Sequence, residues 1–393
     1  METTLSDIAD GCKYGFVDGP FGSNLPSSCY KHKGIPVIRG CNLSIGKFRY
    51  IDQGYCFVDN IVLDKLSRST ARKFDIIFTK KGTIGQIGII PKNALYNLYL
   101  LSSNQMRLRV DISKADPYFV YYYLTQKNII KKIIRDSEST GVPKTNLAYF
   151  RSFPIKLPAL SEQQAIAHIL GTLDDKIELN RRQNATLEAM AQAIFKDWFV
   201  DFGPVHAKME GRQPEGMSRE IADLFPDRLD DEGKPEGWEW KTLDSILELC
   251  YGKALKASER IPGKTPVYGS GGITGYHNQA LVITPSIIVG RKGTIGSLYI
   301  EHRPFYPIDT VFYVKSDYSI FFCYFILKQQ KLKDMNTDAA VPGLNRNNVY
   351  RLVFSMPSNI VIEKFDAYIQ NIYKKIYHNY SEISILISLR DTL

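Results

Sequence analysis

Several things are missing from this chain of 393 residues, and each absence closes a route. No stretch of about 18 apolar residues occurs, so no membrane-crossing helix is expected. The opening residues METTLSDIAD lack a basic region and an apolar run, so they do not read as a secretion signal. The six cysteines, at 12, 29, 41, 56, 250 and 323, include no CxxC pair. A zinc ribbon or a thioredoxin motif is therefore not expected, and scattered reduced thiols point to the cytoplasm. The six histidines (32, 168, 206, 277, 302, 378) never fall at metal-ligand spacing, and no metal site is expected.

Catalytic signatures are missing too. Tyr268-Gly-Ser-Gly-Gly-Ile-Thr-Gly is glycine-rich but carries no phosphate-loop lysine. Gly263-Lys264-Thr265 has the right tripeptide, yet Ser258 stands where the first loop glycine is needed. Asp116-Pro117-Tyr118 is one proline short of an amino-methyltransferase motif and reads as helix capping. Pro226-Asp227 followed by Glu239-Trp240-Lys241 formally matches a metal-nuclease pattern. Glu232-Gly233-Lys234 nearby matches half of it as well, which shows how cheap the pattern is. No serine or cysteine triad is legible. No catalytic residue and no cofactor is assigned to this chain.

What the chain does have is basic charge in two blocks. Net charge is +9. Residues 1–157 hold 23 Lys/Arg against 12 Asp/Glu, and residues 237–356 hold 14 against 9. Segments 158–201 and 202–236 are acidic, and 357–393 is neutral. Two separated basic modules suit two contacts on one polyanion such as nucleic acid, although basic surfaces are also common without any partner.

A repeat explains the two blocks. TLSDI (4–8) recurs as TLDSI (242–246), and IPVIRG (35–40) as TPVYGS (265–270). KKGTIG (80–85) recurs as RKGTIG (291–296), and VPKTNL (142–147) as VPGLNR (341–346). The offsets fall steadily: 238, 230, 211, 199. This is a duplication whose second copy lost loop residues. Each copy starts with short β-type runs such as Asp75-Ile-Ile-Phe-Thr, Ile87-Gly-Ile-Ile, Met106-Arg-Leu-Arg-Val, Ile287-Ile-Val-Gly and Thr310-Val-Phe-Tyr-Val. Tyr118–Leu124 and Ile320–Leu327 read as short helices in matching places.

Each copy ends in a long helix. Pro158 and Pro357 stop the strand before it, and Ser161 with Gln164 makes a capping box. Leu170, Leu173, Ile177, Asn180 and Leu187 form a coiled-coil seam. Ile369, Ile372, Ile376, Asn379 and Leu386 repeat it at the constant offset of 199. The two helices are expected to pair antiparallel, with Asn180 and Asn379 meeting near a pseudo-two-fold axis. About 33 paired residues at about 1.5 Å each make a rod of roughly 50 Å. The expected fold is α+β: two pseudo-symmetric α/β domains separated by an antiparallel coiled coil. The boundaries read as 1–157, a first spacer helix over 158–202, a Pro/Gly-rich acidic linker over 203–236, then 237–356 and a second spacer helix over 357–393.

These motifs, with GPFGSNL (19–25), STGVPKTNL (139–147), GWEWKTL (237–243) and the helix start Pro-Ala-Leu-Ser-Glu-Gln-Gln (158–164), resemble the specificity subunits of type I restriction–modification systems. The resemblance spans nearly the whole chain. It implies two target-recognition domains, each reading half of a split double-stranded DNA site. It implies helices that set the gap and dock two methyltransferase subunits, which carry S-adenosylmethionine. A separate restriction subunit would cut. One departure stands out: the first helix runs on through Ile194-Phe195-Lys196-Asp197-Trp198-Phe199, whereas the second copy stops at Leu393, the equivalent of Ile194. Family members commonly continue there with a short tail packed near the first domain.

For DNA contact the loop-like basic residues are the candidates. In the first copy they are Lys31, Lys33, Arg39, Lys47, Arg49, Lys80, Lys81 and Lys144. In the second they are Lys253, Lys256, Lys264, Tyr268, Ser270, Tyr276, His277, Arg291 and Lys292. Gly82 and Gly293 either let the backbone approach DNA or shape a turn. The rival readings are a stand-alone DNA-modifying or DNA-cleaving enzyme with a degenerate motif, and a DNA-binding regulator that acts without partners.

Overall fold

The computed structural model describes residues 2–12, 14–137, 142–336 and 343–393. It divides into two compact units, Met1–Asn180 with Ser381–Leu393, and Arg181–Tyr380.

In unit 1 a four-stranded antiparallel sheet runs in the order Phe16–Asp18, Gln105–Leu108, Ile76–Thr79, Ile87–Ile89. A second sheet runs Cys56–Val58, Ile35–Ile38, Tyr99–Leu101, Thr70–Ala71, with a parallel pair at its centre. Glu2–Thr4 pairs with Pro154–Lys156. Ile76, Ile77 and Phe78 are fully buried, which is why this stretch reads as a continuous apolar run. Helix Pro117–Thr125 covers the first sheet; Asp116 accepts from the Phe119 amide and Pro117 sits in the first turn, the capping chemistry expected of Asp-Pro.

Unit 2 repeats the plan with fewer parts. Its main sheet is Glu248–Tyr251, Val311–Lys315, Ser286–Gly290, Leu298–Glu301. Its second sheet keeps three strands, Gly272–His277, Thr265–Gly269 and Tyr306–Pro307, again with one parallel pair. Glu239–Thr242 pairs with Val353–Met356. Helix Ile320–Gln329 matches Pro117–Thr125. The falling offset now has a physical content. Between the IPVIRG and KKGTIG repeats, unit 1 carries helix Asn60–Lys65 and strand Thr70–Ala71, which have no counterpart in unit 2. Between KKGTIG and VPKTNL it carries helix Lys127–Arg135, where the described residues of unit 2 form the short turn Leu332–Asp334.

The long helices are Leu160–Phe199 and Asn359–Arg390. Pairing is antiparallel in each unit. In unit 1 Asn180 donates to Glu382 (2.9 Å) and Arg390 donates to Asp174 (2.8 Å). In unit 2 Asn184 lies against the carbonyl of Ile376, and Phe195 packs on Phe365. Leu170, Ile177, Asn180, Ile369, Ile376 and Asn379 are buried as the seam requires. Leu173, Leu187, Ile372 and Leu386 are half-buried, and Asp174, Asn184, Tyr373 and Ile383 share the buried stripe with them.

Asn180 donates to Glu382, and Asn379 donates to Asn184 (2.8 Å). Two expectations change. The first helix starts at Leu160, so Ser161 lies inside its first turn rather than at its cap. The buried Gln163 fastens that turn instead, donating to Pro158 O and accepting from the Asp116 amide, both at 3.0 Å. Residues 203–236 are folded, not a loose linker: Val205, Met217, Ala222 and Phe225 join Phe195, Trp198 and Phe199 in the unit 2 core. Apolar residues spaced among the acidic ones are enough to dock the segment. The end of the second helix is held within unit 1: Arg390 also reaches Gly46 O (3.1 Å), and Asp391 pairs with Lys127 (3.0 Å).

Candidate nucleic-acid interface

The two KGTIG motifs build the same object in each unit. In unit 1 Lys80 continues the central strand, and its amide donates to Asn104 O (2.8 Å). The chain then turns, with the Ile84 amide on Gly82 O (2.9 Å). Thr145 donates back to Lys80 O (2.8 Å), and Gly82 donates to Pro143 O (3.0 Å). So Lys81 and Lys144, distant in sequence, form one β-bridge. In unit 2 the Ile295 amide closes on Gly293 O (3.0 Å), Leu344 donates to Arg291 O (2.8 Å), and Lys292 bridges Gly343. Asn146 and Asn345 cap the short helices that follow.

The glycines are needed for the turn itself. Gly82 and Gly293 have φ of +100° and +78° and face open space or nearly so. Their second partners differ. A Cβ on Gly296 would meet the Lys333 backbone nitrogen at 2.5 Å, whereas one on Gly85 would meet only side-chain carbons of Ile130 and Ile134 at 3.1 Å or beyond.

The charges around the two turns are not the same. The registers of Asp18 on Met106 and Tyr251 on Phe312 make Asp18 and Tyr251 equivalent positions. Lys80 forms an ion pair with Asp18 at 3.0 Å. Its counterpart Arg291 instead lies over the ring of Tyr251, 5.0 Å from the centroid, and donates to Asp309 O (3.0 Å). Arg346 lies over the same ring, also at 5.0 Å. Tyr251, Arg291, Lys292, Gly343, Leu344, Asn345, Arg346 and Asn347 line a cleft of about 300 Å³. No acidic side chain lines it, and among the described residues Arg291, Lys292 and Arg346 make no ion pair.

Of the sequence-based candidates, the structure gathers Lys80, Lys81 and Lys144 at one turn, and Arg291 and Lys292 at the other. Ser270 joins the second, its carbonyl accepting from Ser297 Oγ (2.5 Å). Lys31, Lys33, Lys47, Lys253, Lys256, Lys264 and Tyr276 are exposed but belong to other loops and edges. Lys31 bridges Phe57, Lys47 lies over Phe48, and Lys256 pairs with Glu259 (3.6 Å). Half-buried Arg39 donates to Gly54 O (3.3 Å).

Three candidates serve the fold instead. Tyr268 is buried and donates to Glu301 (3.0 Å); burial and that carboxylate push its hydroxyl pKa up. His277 is buried, with Nδ1 accepting from the Ile261 amide (3.0 Å). Arg49 faces the first long helix, paired with Asp175 and near Asp174. Burial opposes its charge, yet Tyr122 and these two carboxylates hold the guanidinium charged. Tyr251 and Arg346, which line the same cleft as Arg291 and Lys292, are not among the sequence-based candidates. A signal existed: Arg346 closes the VPGLNR repeat, one residue after the capping Asn345. Part of that repeat, Val341 and Pro342, and Ser139-Thr140-Gly141 of the first copy lie outside the described residues.

The nuclease-like carboxylates form ion pairs at the surface. Asp227 pairs with Lys208 (2.6 Å), and Glu239 with Lys241 (3.6 Å). No helix is long and apolar enough to cross a membrane among the described residues.

Comparison with known proteins agrees with this plan. A profile described as the type I restriction modification DNA specificity domain matches residues 61–189 and 235–379, once in each copy of the repeat. The HindI specificity subunit of Haemophilus influenzae is 26% identical over 410 residues, covering 86% of this chain and 89% of that protein. The MjaIX specificity subunit of Methanocaldococcus jannaschii is 26% identical over 405 residues, covering 95% and 88%. The crystal structure of a type I restriction–modification S subunit from M. genitalium shares the fold, with a TM-score of 0.56 at 18% identity, covering 100% of this chain and 94% of that one. The chain therefore belongs to the type I restriction–modification DNA specificity family and carries two copies of its defining domain.

Proposed function

We propose that each unit reads one half of a bipartite duplex target, and that chemistry is left to other subunits. The observation that carries this is the duplicated turn, built by the same backbone hydrogen bonds in both units and flanked by cations in both. Phosphate contacts from these cations supply affinity and register, and neighbouring polar side chains at base edges supply specificity. The paired helices fix the spacing between half-sites and offer their outer faces to two methyltransferase subunits. S-adenosylmethionine binds those subunits, not this chain. A restriction subunit adds cleavage where it is present.

The test is a domain exchange in the assembled complex. Residues 1–157 are replaced by those of a relative, and the methylated motif is read by methylome sequencing. The reading expects one half of the motif to change while the other half and the spacing stay. A chain that methylates or cuts DNA alone, or an exchange that alters both halves, contradicts it.

A further inference from the structure

The cleft beside Tyr251 holds more positive charge than the protein itself balances. Two guanidinium groups share one aromatic partner, the Tyr251 ring, each 5.0 Å from its centroid, and Lys292 adds a third cation to the same cleft. Arginine over an aromatic face gains modestly, and like charges drawn together repel, so the arrangement favours an anion between them. Asn345 and Asn347 line the same cleft as the two arginines, with the Asn345 carboxamide oxygen capping the following helix. Arg346 Nε is buried without a hydrogen-bond partner. Unit 1 is arranged differently. Asp18 neutralises Lys80, and Leu147 stands where Arg346 stands in unit 2.

Resting on the DNA-reading role proposed above, we infer that Arg291, Lys292 and Arg346, organised on the Tyr251 ring, form a seat for one backbone phosphate of the duplex, and that this seat exists in unit 2 alone. Arginine suits the task because its planar fork meets two phosphate oxygens at once, and the ring keeps both forks in place before DNA arrives. The seat makes the half-site read by unit 2 the more tightly anchored one. Unit 1 must lose the Lys80–Asp18 pair before Lys80 can serve a phosphate.

The experiment uses the full chain and a mixed-sequence duplex of about 30 base pairs, with affinity measured across a salt series. Arg346→Ala is expected to weaken binding and to make the log K against log salt slope shallower by about 0.9, the value of one B-DNA phosphate contact. Lys292→Ala, whose side chain is exposed, gives an independent reading in case Arg346→Ala disturbs folding, and should lower affinity in the same direction. Single methylphosphonate substitutions along the duplex should weaken wild-type binding at one position to which Arg346→Ala is indifferent. An unchanged slope in both variants overturns the seat. So does inorganic phosphate that competes as well as duplex does at equal phosphate concentration, since the site would then recognise free anions. If wild type binds and only the variants fail to differ, the seat is wrong and the DNA-reading role stands. If neither the chain nor its complex binds duplex, the role itself fails.

Discussion

In unit 1 the cation at the end of the central strand meets an acid, and in unit 2 its counterpart meets a ring. Lys80–Asp18 and Arg291–Tyr251 occupy the same place in one repeated frame, yet the first is balanced and the second is not. The backbone of the turn is preserved while the side chains on it are exchanged, which is how one scaffold can read two sequences. The cores differ in a similar way. Unit 2 takes in the aromatic end of the first long helix, with Phe195 against Phe322, Phe325, Phe354 and Phe365. Unit 1 fastens the other end through polar groups, with buried Gln163 on Asp116 and buried Asp174 accepting from Tyr122 (2.9 Å) and Arg390.

The aromatic core offers the largest effect. Phe195→Ala should cost unit 2 about 3–5 kcal/mol, since a large cavity opens among rings that cannot collapse onto it. Hydrogen exchange should show Ser286–Gly290 losing protection while Ile76–Thr79 keeps it; equal loss in both would mean the cores are not separate. Next, Asp174→Ala should cost unit 1 about 3 kcal/mol, because it leaves Arg390 and Tyr122 without their buried partner. Exchange at the end of the second helix, around Arg390, reads this directly. Gly296→Ala should cost about 1–3 kcal/mol from positive φ and a backbone clash, and Gly82→Ala about 1 kcal/mol from φ alone. Denaturant midpoints that fall equally would remove the difference between the two turns.

Asp18→Ala sharpens the electrostatic half of the comparison. Its partner is partly exposed, so stability should move by less than about 1 kcal/mol. DNA affinity should rise, and the salt slope should steepen by up to about 0.9, because Lys80 is released to a phosphate. The smallest effect is one of pH. Burial holds the His302 pKa below its ordinary value, against a smaller opposing effect of Glu301. The unfolded chain therefore takes up a proton first as pH falls, and the stability His302 contributes is present above the ordinary histidine range and lost below it. A His302→Gln variant should show a flatter fall in unit 2 stability between about pH 7 and 5.

Much of the frame was legible from residue patterns. The repeat, the strands through Ile76 and Ile287, the Asp116 cap and the two long helices follow from periodicity and punctuation, because those signals are local. The turn carrying Lys80 and Arg291 was legible because its glycines are fixed by backbone conformation. Burial was harder. Tyr268, His277 and Arg49 looked available because polar residues in a basic, glycine-rich stretch usually are, and only the three-dimensional partners Glu301, Ile261 and Asp174–Asp175 show otherwise. The acidic stretch 203–236 hid its core residues for a related reason: average composition conceals a few apolar side chains at the right spacing. Arg346 was missed because its role depends on Tyr251, far away in sequence and brought close by the sheet.

The central claim is that two equivalent cationic turns, one per unit, hold one duplex. A hydroxyl-radical footprint of the assembled complex on its methylation target tests it most directly. The account predicts two separate protected patches, one weakened by the triple change Lys80→Ala, Lys81→Ala, Lys144→Ala and the other by Arg291→Ala, Lys292→Ala, Arg346→Ala. A single patch, or both patches lost together with either set, would contradict it.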